Sequence, residues 1–186
     1  MSEAPRTLEE QRNEYAQRRF LATPLTGTVV WLAVAGSSLF LSPVQTVWVL
    51  FVGTGSIGYI SLLVSKFTGE NFLDKSKPKN TFNALFFHNV FSSLVVFAIA
   101  IPFFLVDYTS LPLTVGILTG TMWIPFSWII QHPVGIIHGV VRTIFVVVAW
   151  YLFPNQRFLV IPLGIVVIYL ATIYVLETRW RRLRSA

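Results

Sequence analysis

The sequence predicts an all-α integral membrane bundle of six transmembrane helices preceded by a short surface helix, and three observations carry that fold class. Of 186 residues, 54% are hydrophobic and only 12% charged, about half the charged share of a soluble domain. Six apolar segments, approximately 24–42, 44–65, 82–106, 111–130, 134–153 and 158–176, fill most of the chain. At about 1.5 Å per residue each can cross a hydrocarbon core of roughly 30 Å. The third observation is where the charge lies: lysines and arginines sit almost wholly in the joins. Runs of this length must satisfy their backbone internally in lipid, which requires helices, and the ten-residue alternation of a β-barrel is missing.

Taken in order, residues 1–23 form a hydrophilic arm without the apolar core and cleavage site of a signal peptide. Thr7 and Glu10 have capping-box spacing, and Glu14 and Arg18 are four apart. A surface helix over 7–20 is predicted; its apolar face (Leu8, Tyr15, Phe20) is thin, so a solvated arm is the alternative. Proline or polar punctuation then marks the joins at Ser42-Pro43, Leu111-Pro112, His132-Pro133 and Pro154-Asn155-Gln156. The transmembrane domain is expected over 24–178 and a basic tail over 179–186.

Six helices place both termini, the loop 66–81 and the join near 131 on one side. That side holds Arg6, Arg12, Arg18, Arg19, Lys66, Lys75, Lys77, Lys79, Arg179, Arg181, Arg182 and Arg184. With Arg142 it has thirteen of the fourteen basic residues, leaving Arg157 opposite. This bias predicts a cell-membrane protein with cytoplasmic termini, with Trp48, Trp150 and Trp180 as interfacial anchors. The net charge of +6 therefore reads as orientation, and no nucleic-acid partner is expected. The bilayer is the expected partner, with anionic headgroups at the lysine-rich loop, a small anion at the polar cluster around Arg142 and a homo-oligomer as further expectations.

Gly53-Thr54-Gly55-Ser56-Ile57-Gly58 matches the dinucleotide fingerprint letter for letter. It lies inside an apolar span with no βαβ pattern around it, so Gly53 and Gly58 are read as helix-packing positions. Thr54, Gly58, Ser61 and Ser65 share one helical stripe. There is no HExxH, no GxSxG, no pair of intramembrane acids and no cysteine. No catalytic residue, metal ligand or cofactor is assigned, and an enzyme or haem protein ranks third among the readings.

The fifth segment concentrates the unusual residues. Gly135, His138, Gly139 and Arg142 recur at i, i+3, i+4 and i+7 and share a face. Gly135 and Gly139 form a small-xxx-small packing pair. Arg142 lies about 12 Å into the helix, where a guanidinium either lines a wet cavity or is paired. His88, Asn89, His138 and Arg142 are the candidate ligand-binding residues, forming a cytoplasm-facing polar cluster; no acid lies near them, which suits an anion. The competing reading is structural, with Arg142 bonding carbonyls freed by Pro125 and Pro133.

The run Ile124-Pro125-Phe126-Ser127-Trp128, with the loop Asp74-Lys75-Ser76-Lys77-Pro78-Lys79-Asn80 before the third helix, resembles a family of small bacterial multi-pass membrane proteins of unknown function. The likeness covers helices two to five and implies a helical membrane fold with no assigned activity. The leading functional expectation is binding or transport of a small polar or anionic ligand. The alternative is a structural or accessory membrane subunit that packs against itself or a partner.

Overall fold

The computed structural model describes residues 6–74 and 78–185; Lys75, Ser76 and Lys77 of the basic loop lie outside the described residues. Among those described there are only helices: α1 (Leu8–Ala16), α2 (Ala22–Phe40), α3 (Pro43–Phe67), α4 (Thr81–Val95), α5 (Phe97–Val106), α6 (Leu111–Leu118), α7 (Trp123–Ile129), α8 (Val134–Leu152) and α9 (Arg157–Ser185). A 3-10 turn, Tyr108–Ser110, joins α5 to α6. Five runs are long and apolar enough to cross a membrane: α2, α3, α4 with α5, α8 and α9. The chain is a membrane protein on that evidence.

The fourth expected segment, 111–130, is not one helix. It divides into α6, of eight residues, and α7, of seven. Local chemistry explains the break. Thr119 and Thr121 turn their hydroxyls onto the carbonyls of Val115 and Leu118, Gly120 is flexible, and Pro125 cannot donate to Thr121. The Gly120 N–H bonds Ile117 rather than Gly116, so the Gly116 carbonyl loses its helical donor. The third segment is also interrupted, at Val96, two residues before the Ala98 carbonyl that Pro102 leaves without a donor.

The other boundaries follow from caps. Thr7 and Glu10 form the expected box on α1, and Ser42 with Gln45 forms another on α3, where Pro43 opens the helix. Leu21 cannot cap α2; Glu70 does so from the far side of α3, its Oε1 accepting from Leu21 N at 2.9 Å and Ala22 N at 2.7 Å. At the end of α7 Gln131 takes a positive φ of 54°, and His132 N returns to the Ser127 carbonyl, a left-handed cap. The basic tail continues α9 as helix to Ser185.

α2 packs on α3 and α9, and α8 on α9, α7 and α6. α1 is not a solvated arm. Tyr15 and Ala16 are buried, Asn80 Nδ2 donates to the Gln11 carbonyl at 2.8 Å, and Arg12 sits 4.0 Å from the Trp128 ring centroid. The expected Glu14–Arg18 pair forms at 2.9 Å. Glu177 bonds Arg19 at 2.9 Å as well as Arg181 at 3.1 Å, tying the segment before α2 to the end of α9.

Burial pushes the Glu70 carboxyl above its ordinary 4.5, opposed by its hydrogen bonds to Thr68, Leu21 and Ala22 and by the Arg19 charge. A raised folded-state pKa means that its contribution to stability is complete below the unfolded value and is lost as pH rises through the folded one. Glu70→Gln keeps the capping oxygen without the charge. Its melting temperature relative to wild type should therefore rise between pH 5 and pH 8, whereas Glu70→Ala should cost about 1 kcal/mol of cap. Equal loss in both variants at every pH would contradict this.

Candidate functional site

Arg142 stands at the centre of α8 and is 0% exposed. Its Nε donates to the Gly116 carbonyl at 2.7 Å, the one released by the α6–α7 break. Its terminal nitrogens donate to Tyr169 Oη at 3.2 Å and Thr119 Oγ1 at 2.9 Å. The Trp31 and Tyr169 ring centroids lie 5.4 and 5.5 Å from its Cζ. Every partner is neutral, and no acid occurs in the sequences of α2 through α8. The positive charge is held by dipoles and ring faces, which serve a planar, weakly hydrated guanidinium better than an ammonium.

Glycines make the room. A Cβ on Gly120 would lie 3.1 Å from Arg142 Cδ, and one on Gly27 would lie 2.6 Å from Tyr169 Cζ. Gly135 brings α8 onto the Trp123 carbonyl and Ser127 of α7, and Gly139 faces Ile124 at 3.1 Å. Gly53 meets Val30 of α2 at 3.0 Å, and Gly58 meets Val90 of α4 at 3.3 Å.

The four candidate residues divide. His138 joins Arg142: it is 1% exposed, its Nδ1 is 2.8 Å from Thr172 Oγ1, and its ring stacks on Trp123 at 4.4 Å and approaches Tyr169 at 5.0 Å. Asn89 reaches the break from α4, donating to the Met122 carbonyl at 2.7 Å. His88 is turned to the outside of the bundle, with Nδ1 2.7 Å from its own helix's Ala84 carbonyl. Phasing on α8 located Arg142 and His138. The residues that sequence reasoning missed are Tyr169, Thr119 and Trp31, each on a different element; a hydroxyl or indole in an apolar run carries no sign of what it faces.

Beside this cluster lies a chamber of about 190 Å3 between α3 and α4. Thr119 and Tyr169, the residues whose hydroxyls hold Arg142, also line it. Thr54, Gly55 and Ser61 of α3 form one side; Phe86, Val90 and Phe91 of α4 form another. The rim residues Tyr59, Phe87 and Phe91 are exposed on the outer, apolar surface. Towards α1 the chamber shares Thr23, Phe72, Phe86 and Met122 with a narrow neck of about 20 Å3. Beyond the neck is a wider polar cavity of about 570 Å3, lined by Arg18, Arg19 and Lys79 together with Glu70 and Asp74.

A bundle of long apolar helices with a buried guanidinium and a side chamber defines a polytopic membrane protein. The profile of a family of unknown function, DUF7010, matches residues 8–179, and the chain belongs to that family. No curated protein and no solved structure matches it.

Arg142→Met would remove a charge whose burial at mid-membrane costs about 2.5–3.5 kcal/mol. It would also orphan the Gly116 carbonyl, at about 1–3 kcal/mol. The two offset, so this variant should unfold within about 1 kcal/mol of wild type in a denaturant titration. A loss above about 3 kcal/mol would make the guanidinium a structural keystone.

Proposed function

We propose that this protein binds a membrane-borne molecule in the chamber between α3 and α4, entering from the bilayer with its polar end towards Tyr169 and Thr119. The observation that carries the reading is that the two residues whose hydroxyls accept from Arg142 also line the chamber. A buried charge without a counter-ion costs stability, and polarising two chamber-wall hydroxyls is a return for that cost. The apolar lining and exposed aromatic rim favour a ligand with an apolar body over a small hydrated anion. Arg142 itself is sealed, so a ligand would meet its charge through Tyr169 and Thr119.

In this reading the N-terminal segment, the lysine-bearing loop and the end of α9 face the cytoplasm, and α6 with α7 completes a sixth passage as a broken helix. Irregular backbone at membrane depth is tolerated where protein buries it or where it lines a cavity. A second reading, an accessory subunit, draws on α4 and α5, where among the described residues only Phe82 and Ala100 are buried. It predicts a defined oligomer or a co-purifying membrane partner in mild detergent, and a monodisperse monomer would remove it.

Gly55 supplies the test. It lines the chamber, and a Cβ there would meet nothing within 4 Å. Gly55→Leu should leave the melting temperature unchanged or higher, since leucine has the better helix propensity by up to about 1 kcal/mol. In native mass spectrometry the wild type should carry one equivalent of co-purified lipid, and Gly55→Leu should lose it. Equal lipid occupancy in the two proteins would sink the chamber reading.

A further inference from the structure

Ser61 behaves unlike its neighbours. Hydroxyls in an apolar helix normally bond a carbonyl three or four residues back, and those around it do: Thr54 to Leu50 at 2.6 Å, Ser65 to Leu62 at 2.8 Å, Thr119 to Val115 at 2.6 Å and Thr172 to Ile168 at 2.8 Å. Ser61 is 3% exposed, lines the chamber, and its Oγ has no partner. Tyr169 is the second unspent donor. Its oxygen accepts from Arg142 at 3.2 Å, and among the described residues its own proton is donated to none. Thr119 differs, because its proton already goes to the Val115 carbonyl.

We infer that the chamber recognises the carbonyl oxygen at the head of an acyl chain, with Ser61 Oγ and Tyr169 Oη as its two donors and Arg142 as the positioning residue behind Tyr169. The inference rests on the chamber reading above and names its ligand class. Moving an alkyl tail from lipid into an apolar cavity gains almost nothing, because lipid tails are as apolar as the lining. Discrimination must therefore come from the polar end. The polar groups with capacity left there are donors, so the ligand must supply acceptors. A carboxylate or an ester carbonyl does so, and an alkane cannot. The chamber holds the head and the first part of the chain, while the rest stays in the bilayer beyond the exposed rim of Tyr59 and Phe91. Accepting from a guanidinium makes the Tyr169 hydroxyl a stronger donor, which favours the more basic oxygens of a carboxylate.

The test is binding of tritiated oleate to the full-length protein in nanodiscs, competed with unlabelled oleate, monoolein and octadecane. Saturable oleate binding is expected, and Ser61→Ala and Tyr169→Phe should each weaken it about three- to tenfold, the worth of one hydrogen bond. Ser61→Ala should do so at unchanged melting temperature, whereas Tyr169→Phe also takes an acceptor from Arg142 and should melt lower. Displacement by oleate but not by monoolein identifies a free acid; displacement by monoolein at least as well as by oleate identifies an ester lipid. Both support the inference. Octadecane competing as well as oleate, no saturable oleate binding, or wild-type affinity in both variants overturns it. Gly55→Leu separates the two levels. If it abolishes binding while the hydroxyl variants keep wild-type affinity, the carbonyl assignment alone fails; if it binds oleate normally, the chamber itself is not the site.

Discussion

The 2.7 Å bond from Arg142 Nε to the Gly116 carbonyl is the interaction around which the middle of this protein is arranged. A guanidinium cannot sit unpaired near the centre of an apolar bundle, and this chain offers no acid at that depth. The solution is a helix that stops. By ending α6 at Leu118 and restarting at Trp123, the chain frees one backbone carbonyl and turns Thr119 towards the same charge. Gly120 lets the arginine stem pass, and Gly27 lets the Tyr169 ring reach it from α9. The break and the charge explain each other: without Arg142 the Gly116 carbonyl is an orphan, and without the break Arg142 lacks its backbone acceptor.

That arrangement also sets the chemical character of the chamber. Its wall is mostly hydrocarbon, which a lipid environment cannot distinguish from itself. What differs from bulk lipid is a short row of hydroxyls at the inner end, two of them held by the arginine. The arginine lies one hydrogen bond behind Thr119 and Tyr169 and is itself fully buried. The same logic explains why His138 and Trp123 pack as a stacked aromatic pair beside Tyr169: they hold the tyrosine ring and close the cluster on the α7 side.

Much of the fold was legible in the sequence because lipid leaves few alternatives. Apolar length found five crossing runs to within about two residues at most ends, and Thr7 with Glu10 marked the start of α1. The helical phase of Gly135, His138, Gly139 and Arg142 put all four on a buried face correctly. The break in 111–130 was not read, although Thr119-Gly120-Thr121 and Pro125 announced it, because hydropathy counts length and is blind to backbone bonds. The docking of α1 was missed for a different reason. Tyr15, Arg12 and Arg18 find their partners on α4 and α7, and such distant pairings have no local periodicity. His88 was grouped with Arg142 by depth alone, and rotation about α4 places it on the outside.

The central claim is that Arg142 is sealed from water and bonded at the break, and the exchange of its Nε proton measures that directly. In protein labelled with 15N-arginine and held in nanodiscs, the exposed arginines at the end of α9, Arg181, Arg182 and Arg184, should lose their Nε–H signals promptly after transfer to D2O. One signal, absent from Arg142→Met, should persist for about an hour or more, as expected for a donor reached only by opening of the bundle. Exchange of the Arg142 signal as fast as the surface arginines would mean that the guanidinium faces water, and the account built on its burial would be wrong.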